Sequence, residues 1–380
     1  MKLDEIRNKI DNVDDKIAKL YVERMELSKE VGLFKKENNI ATENTLREKE
    51  IINRVTKEMP EDIKLFGKQV FCSLFDTSKA YQSQIVSINS SIKNDIISAL
   101  KAGKQSFPNS AIIACQGVSG AYSNIATEHI FSFSNIMYFK DFDGVFNAVE
   151  KGFCQFGVLP IENSSVGSVN KVYDLMRKHK FYIVRSIKLK VQHYLLANAG
   201  IDLKNVKEIF SHEQAIAQCA GFLKELGDVK ISVCDNTALA AKMVSESGRK
   251  DVACISSREC AGIYGLSILA PNIQDSDSNF TRFIAISKKL QIFEDANKIS
   301  IMVNLPHEVG SLNKLLNRFS TLGLNLTKIE SRPMPNSMFE FAFYFDFEAK
   351  VESIEVQNLV AELENTCDYF SFLGSYHEIV

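Results

Sequence analysis

Arg24 stands where the pattern of its segment asks for an apolar residue. Leu3, Ile6, Ile10, Val13, Ile17 and Leu20 recur at alternating steps of three and four; position 24 is next, and Leu27, Val31 and Phe34 resume the series. A guanidinium on a buried helical seam costs several kcal/mol unless an anion meets it. Lys35 falls only about 20° further round the wheel at ~100° per residue, so the two cations share a face. Arg7 points about 100° away from Arg24 and serves a different direction. Further on, Arg47 and Glu48 are adjacent, and Ser78 and Gln82 are i, i+4 neighbours with aligned side chains. These types at these spacings can hold a small dianion inside a helical bundle. The same periodicity also fits a plain helical dimer whose charges snorkel to solvent.

A second candidate is "NFTRF", residues 279–283, where Thr281 lies between two phenylalanines just after the polar loop "QDSDS". A threonine on a strand needs no explanation, since β-branching suits the pleat; its hydroxyl acquires a task only from its surroundings. Alternation puts Thr281 and Phe283 on one face and Phe280 and Arg282 on the other. Four polar turns precede it. They hold Ser119, Tyr122 and Ser123; Asn163, Ser164 and Ser165; His212 and Gln214; and Thr237. Each opens a helical stretch, where backbone N–H groups can bind a carboxylate or where a serine simply caps the helix.

The elements that must position these residues fall into three pieces. Residues 3–36 read as one helix about 50 Å long at ~1.5 Å per residue, too long for a small domain to cover alone, and it should pack against other helices and a second copy of itself. Thr42 or Asn44 can cap a second helix running to about Glu58, and a third covers about 61–86. Residues 1–90 are therefore all-helical, and 91–109 read as a linker. From 110 to 290 strands alternate with helices through turns rich in Ser, Asn and Gly, an α/β architecture in two lobes with ligands at the carboxyl ends of strands. From 298 to 380 the order is strand–helix–strand–strand–helix–strand, the ferredoxin-like βαββαβ sequence, with Phe339, Phe341, Phe343, Phe345 and Phe347 expected on one face of its third strand.

The chain has 380 residues, 45% hydrophobic and 24% charged, with net charge −2, an ordinary globular balance. No extended basic stretch points to nucleic acid, and no apolar run approaches the ~20 residues that span a membrane. The charged N-terminus has no signal-peptide core, so the expected location is the cytoplasm. Eight cysteines form no C-x-x-C pair and no histidine lies at metal-ligand spacing from them, so the expectation is buried free thiols, no metal and no cofactor.

The helical piece resembles the helical chorismate mutases over Arg7, Arg24, Lys35, Arg47-Glu48, Ser78 and Gln82, in the family's order and with near-identical spacing. The resemblance implies an intertwined helical dimer in which Arg7 reaches into the partner's pocket. Arg7 and Arg24 would grip the two carboxylates of chorismate with help from Ser78, Glu48 would accept from the ring hydroxyl, and Lys35 and Gln82 would donate to the ether oxygen. Asn44 stands where the family often has Asp. The central piece resembles prephenate dehydratase over "GVSGAYSNIA", "VLPIENSSVGSV", "SHEQAIAQC", "DNTALAA", "YGL" and "NFTRF". Val118 replaces a common proline, and Glu213 replaces the proline of S-H-P-Q and must point away from an anionic ligand. This resemblance makes Thr281 the catalytic candidate, as a neutral proton donor to the departing ring hydroxyl of prephenate. Ser119, Tyr122, Ser123, Asn163, Ser164, Ser165, His212, Gln214, Thr237, Arg282 and Phe283 would bind substrate.

The last piece resembles the ACT regulatory domains through "HEVGSLNKLL" (307–316) and "IESRP" (329–333). It implies an allosteric L-phenylalanine site made of His307, Val309, Gly310, Ser311 and Leu312 with Glu330 and Ser331, in a homodimer or homotetramer; a plain dimerisation module is the other reading. The whole chain thus resembles the bifunctional chorismate mutase/prephenate dehydratases. Two alternatives remain open at this level: a dehydratase whose helical piece only dimerises, and a two-lobed small-molecule binding or sensor protein.

Overall fold

The computed structural model describes residues 3–38, 40, 44–85, 90–103, 106–308, 310–333 and 341–380. It opens with helices α1 (Leu3–Glu37), α2 (Thr45–Thr56), α3 (Glu61–Ile85) and α4 (Ser91–Lys101). Asn44 caps α2, its side-chain oxygen accepting from the Arg47 N–H at 3.0 Å; the alternative cap Thr42 lies outside the described residues. Helix α4 occupies the segment read as a linker, and its N-terminus is capped by the Glu364 carboxylate, which accepts from Ser91 Oγ at 2.5 Å.

An alternation of strands and helices follows: β1 (Ser110–Gln116), α5 (Tyr122–Ile130), β2 (Phe133–Phe139), α6 (Phe142–Glu150), β3 (Phe156–Asn163), β4 (Gly167–Ser168), α7 (Asn170–His179), β5 (Tyr182–Lys190), β6 (Tyr194–Ala197), β7 (Glu208–Ser211), α8 (Glu213–Gln218), α9 (Ala220–Leu226), β8 (Lys230–Val233), α10 (Thr237–Glu246), β9 (Val252–Ser256), α11 (Arg258–Tyr264), β10 (Ser267–Ala270) and β11 (Phe280–Ser287). The last elements are β12 (Lys298–Asn304), α12 (Ser311–Thr321), β13 (Asn325–Pro333), β14 (Phe341–Glu348), α13 (Ile354–Thr366) and β15 (Tyr369–Ile379).

Two compact units result: Met1–Ile97 with Ile301–Phe370, and Ser98–Ser300 with Ser371–Val380. In the first, α1 packs along α3, and α12 and α13 both lie against α3. Its strands run in the order β13, β14, β12. Phe319 of α12 stacks on Phe345 and meets Phe347 edge-on, which buries that face of β14. Phe343 stacks with Phe345, so these phenylalanines share one face as expected; the other face is covered too, with Ala342, Tyr344 and Asp346 also buried. Phe339 lies outside the described residues.

The second unit has two sheets. One runs β5, β11, β3, β1, β2, with β11 antiparallel to both neighbours; the other runs β10, β6, β9, β7, β8. Parallel β1 and β3 are closed on both faces, as βαβ crossovers require, and their apolar runs form one core around Ile113, Val158, Phe283 and Ala285. A second core lies under the other sheet around Leu195, Ile209, Ala253 and Ile255. From Ser371 onward β15 belongs to this unit, with His377, Glu378 and Ile379 running parallel to Arg185, Ser186 and Ile187 of β5. Among the described residues no helix is long and apolar enough to cross a membrane.

Candidate active sites

In the helical unit α1, α2 and α3 bring five of the expected residues together. Arg24 donates to the Leu74 carbonyl at 3.1 Å and to Ser78 Oγ, and its guanidinium lies over the Phe75 ring. Burial pulls its pKa below the usual value. Gly32 is the buried residue of α1, and it is glycine for room: a Cβ there would stand 3.2 Å from Gln82 Cγ. Gln82 is itself 7% exposed, and its side-chain Oε1 has no hydrogen-bond partner among the described residues. The two ends of an amide interchange by a half-turn, so this buried end can donate or accept. Burial lowers the Lys35 ammonium, Glu48 opposes that and Lys79 adds to it. Glu48 lies 3.1 Å from the Lys79 ammonium.

Three expected residues are placed elsewhere. Arg7 is exposed and pairs with Asp4 at 3.4 Å. Arg47 turns outward to Glu50 at 3.0 Å, because i, i+3 spacing sets them on the outer face of α2. Asn44 is occupied as the cap of the same helix. The apolar seam of α1, from Leu3 to Phe34, is 41–64% exposed at every one of its positions.

In the α/β unit the turn after β3 meets the start of β11. Antiparallel pairing sets Thr281 opposite Asn163, and the Asn163 side-chain amide donates to Thr281 Oγ1 at 2.8 Å and to Asn279 Oδ1 at 2.8 Å. Asn163 Oδ1 accepts from the Ser165 and Val166 N–H groups, which fixes which end of the amide faces the threonine. Asn279 donates to Gln218 Oε1 at 3.0 Å, and that oxygen also lies 2.8 Å from His193 Nε2. Since Gln218 Oε1 only accepts, His193 carries its proton on Nε2; burial lowers its pKa, consistent with a neutral ring. The chain Thr281–Asn163–Asn279–Gln218–His193 joins the two sheets of the unit. Gln218, Asn279 and His193 were missed in the sequence. Gln218 was discoverable, standing one helical turn beyond Gln214 inside "SHEQAIAQC".

The remaining polar turns are accounted for individually. Ser164 Oγ donates to the Ser278 carbonyl and accepts from the Phe280 N–H, stitching the turn to β11; Ser165 reaches Asn279 at 3.3 Å. Tyr122 is committed to the Gln192 backbone, accepting from its N–H at 2.9 Å and donating to its carbonyl at 2.5 Å. Ser123 is buried inside α5. The Ser119 carbonyl accepts from the Tyr264 hydroxyl at 2.7 Å. Ala121, the N-cap of α5, makes no side-chain cap hydrogen bond. His212 caps α8 through Nδ1, with Gln214 half-buried next to it and Glu213 exposed. Thr237 opens α10, where its carbonyl accepts from Ser256.

Arg282 and Phe283, expected to bind substrate, are drawn inward instead. Phe283 is a core side chain, 2% exposed. The Arg282 guanidinium is 5% exposed, lies 2.7 Å from Glu378 and 3.5 Å from Glu162, and donates to the Tyr376 hydroxyl at 2.6 Å. Alternation sends it to the face opposite Thr281, where the end of β15 supplies its counter-ion. Burial alone would raise Glu378; Arg282, Lys298 and Lys188 outweigh it and hold the carboxyl at about 2.

In the last βαββαβ stretch, Gly310 caps α12 with φ +88°, a conformation glycine adopts freely. His307 is exposed, Ser311 and Leu312 are half-buried, and Val309 lies outside the described residues. Glu330 and Ser331 lie on β13, the edge strand, which buries none of its residues. Among the described residues no group of three or more His, Cys, Asp or Glu is arranged to hold a metal.

An all-helical domain and a two-sheeted α/β domain, each with its own polar cluster, define a chain with two enzyme domains. Residues 6–83 match the family Chorismate mutase type II, and residues 113–291 the family Prephenate dehydratase. The bifunctional chorismate mutase/prephenate dehydratase of Aquifex aeolicus is 32% identical over 378 residues, covering 99% of this chain and 98% of that protein. Arogenate dehydratase/prephenate dehydratase 2 of Arabidopsis thaliana is 40% identical over 276 residues, 70% of this chain and 72% of that one. The structure of the prephenate dehydratase of Arthrobacter aurescens in complex with L-Phe superposes with a TM-score of 0.64 at 27% identity, over 70% of this chain and 89% of that one. The chain belongs to the bifunctional chorismate mutase/prephenate dehydratase family, whose two activities convert chorismate to prephenate and prephenate to phenylpyruvate on the route to phenylalanine.

Proposed function

We propose that each reaction is carried by the cluster found in its own domain. Rearrangement of chorismate is pericyclic and needs no acid, base or metal; the protein must hold the reactive conformer and stabilise charge developing on the ether oxygen. Arg24, with Ser78 against it, takes one carboxylate; Arg7 of a second copy takes the other, since in its own chain it points to Asp4. Lys35 and Gln82 donate to the ether oxygen and Glu48 accepts from the ring hydroxyl. Arg47 is left outside this set. The exposed α1 seam is what a second copy would cover, giving an intertwined dimer.

The observation that carries the dehydratase reading is the direction of the Asn163–Thr281 bond. Because Thr281 Oγ1 accepts from the Asn163 amide, its own hydrogen is left to donate outward. Acceptance also polarises the hydroxyl and strengthens it as a donor. Bound prephenate loses its ring carboxylate as CO₂; that bond's electron pair enters the ring, the ring C–OH bond breaks, and the leaving hydroxide departs as water with the Thr281 proton. Water then reprotonates the threonine. A neutral hydroxyl suits a dianion, which a carboxylate donor would repel. Prephenate's carboxylates are taken by the α5 N-terminus beside Ser119 and by the Ser164–Ser165 turn, with His212, Gln214 and Thr237 closing the cleft. Arg282 and Phe283 hold the strand rather than the substrate.

Residues 298–380 act as an ACT-type, ferredoxin-like regulatory domain that binds L-phenylalanine at the Gly310 turn, with Glu330 and Ser331 supplied across an edge-strand pairing of two copies. A ligand bridging two chains favours one arrangement over another, which allostery requires. The assembly is a homodimer or homotetramer, working in the cytoplasm. Purified protein given chorismate should release prephenate and then phenylpyruvate, with the second step slowed by phenylalanine; appearance of neither product refutes the reading. Gly310→Val should relieve the phenylalanine effect with the basal rate kept. Absence of phenylalanine binding at millimolar concentration would reduce the third piece to a dimerising module.

A further inference from the structure

The helical pocket contains a cation that the reading above leaves without a task. Lys79 follows Ser78 on α3, and its side chain is 15% exposed. Its ammonium lies 3.1 Å from Glu48 Oε1 on α2 and 3.6 Å from Asp76 Oδ1 one turn back on α3. The chain thus draws a lysine largely out of water and sets it between two carboxylates, one of them the group that must accept from the substrate's hydroxyl. We propose that Lys79 is a positioning residue of the mutase pocket, holding the Glu48 carboxylate aimed while a dianion binds beside it. The inference rests on reading Arg24, Lys35, Glu48, Ser78 and Gln82 as the chorismate site.

The physical need is plain. A bare carboxylate close to a dianion is repelled, and low effective dielectric strengthens that repulsion. A paired ammonium offsets it without occupying the substrate's own place. Asp76 gives Lys79 a second anchor, so the ammonium stays put when Glu48 turns toward a ligand. Asp76 is fixed in its turn, because Arg318 of α12 donates to its backbone carbonyl at 2.7 Å while holding Glu362 of α13. The charged groups acting on Lys35 are Glu48 on α2 and Lys79 on α3. Of these, Glu48 raises the Lys35 pKa, whereas Lys79 lowers it beyond what burial does. Removing Lys79 removes the repulsion and leaves Glu48 unpaired, and both changes keep Lys35 protonated to higher pH.

The test compares full-length Lys79→Met, Lys79→Arg and Gln82→Ala, assayed with chorismate and separately with prephenate. Lys79→Met should lower mutase kcat/KM roughly 10- to 100-fold, as expected when a contact group is displaced by about an ångström. Its dehydratase rate should be unchanged, and the alkaline limb of the mutase profile should move to higher pH. Lys79→Arg should restore most of the rate and the original limb. Wild-type mutase kinetics in Lys79→Met beside a crippled Gln82→Ala would overturn the proposal and leave the pocket intact. Loss of both activities without rescue by arginine would overturn it too, marking Lys79 as merely structural. An active Gln82→Ala would instead refute the pocket reading beneath it.

Discussion

The two polar clusters differ in how far one chain completes them. In the α/β unit Thr281 is held by Asn163, Asn163 by backbone N–H groups, and the line continues through Asn279 and Gln218 to His193. In the helical unit the Gln82 amide has a buried end without a partner among the described residues, Arg7 and Arg47 face away, and the α1 seam is exposed along its length. Sheets joined by long-range pairing can close a site within one chain. A single long helix presents its face outward and has to find its complement on another.

The comparison breaks most sharply at Thr281. Thr281→Ala should cost the dehydratase about 10²–10⁴-fold, the contribution of a positioned acid, and leave mutase activity unchanged. Parallel loss of both activities in a folded protein would mean the sites are not separate. Gln82→Ala should do the reverse, costing the mutase roughly 10²–10³-fold, as for removal of one preorganised donor, while prephenate consumption continues; steady-state assays with each substrate decide both. The smallest effect should appear in stability. Glu378→Gln leaves Arg282 short of its counter-ion and should destabilise the α/β unit by about 3 kcal/mol at neutral pH, as when a buried pair is broken. Because the folded carboxyl is depressed to about 2, its contribution is full above the unfolded value of ~4.3 and lost as pH falls toward the folded value. Thermal melts of the two proteins should therefore converge between neutral pH and about pH 2; a constant gap would show that Glu378 does not act through its charge.

Much of the architecture was legible because it is written in local pattern. The 3.6-residue period located α1 nearly to the residue, boundary signals such as Pro60 placed α3, and a seam interrupted by Arg24 marked the pocket face. Thr281 and Asn163 were both visible as motif residues, yet their hydrogen bond was not, since pairing of β3 with β11 joins positions 118 apart. Arg282 shows the same limit: alternation told which face it takes, but its counter-ion Glu378 arrives with β15, nearly a hundred residues later. Lys79 carried no sequence signal, because a lysine on a helix is ordinarily solvent-facing, and only the packing of α2 on α3 sets Glu48 against it. The seam of α1 was read as buried; one chain leaves it open, which is why the period could predict an apolar face without saying what covers it.

Whether the helical site is completed by a second chain can be measured directly. Arg7→Ala and Gln82→Ala chains, each with its mutase activity crippled, are unfolded together and refolded as a mixture. In a two-fold dimer a hybrid has one pocket with Arg7 from one chain and Gln82 from the other, so random pairing should return about a quarter of the normal mutase sites. Dehydratase activity, which needs neither residue, should be the same in the mixture and in both parents. Heterodimers demonstrated in the mixture without any recovery of mutase activity would place Arg7 in its own chain's pocket and contradict the account.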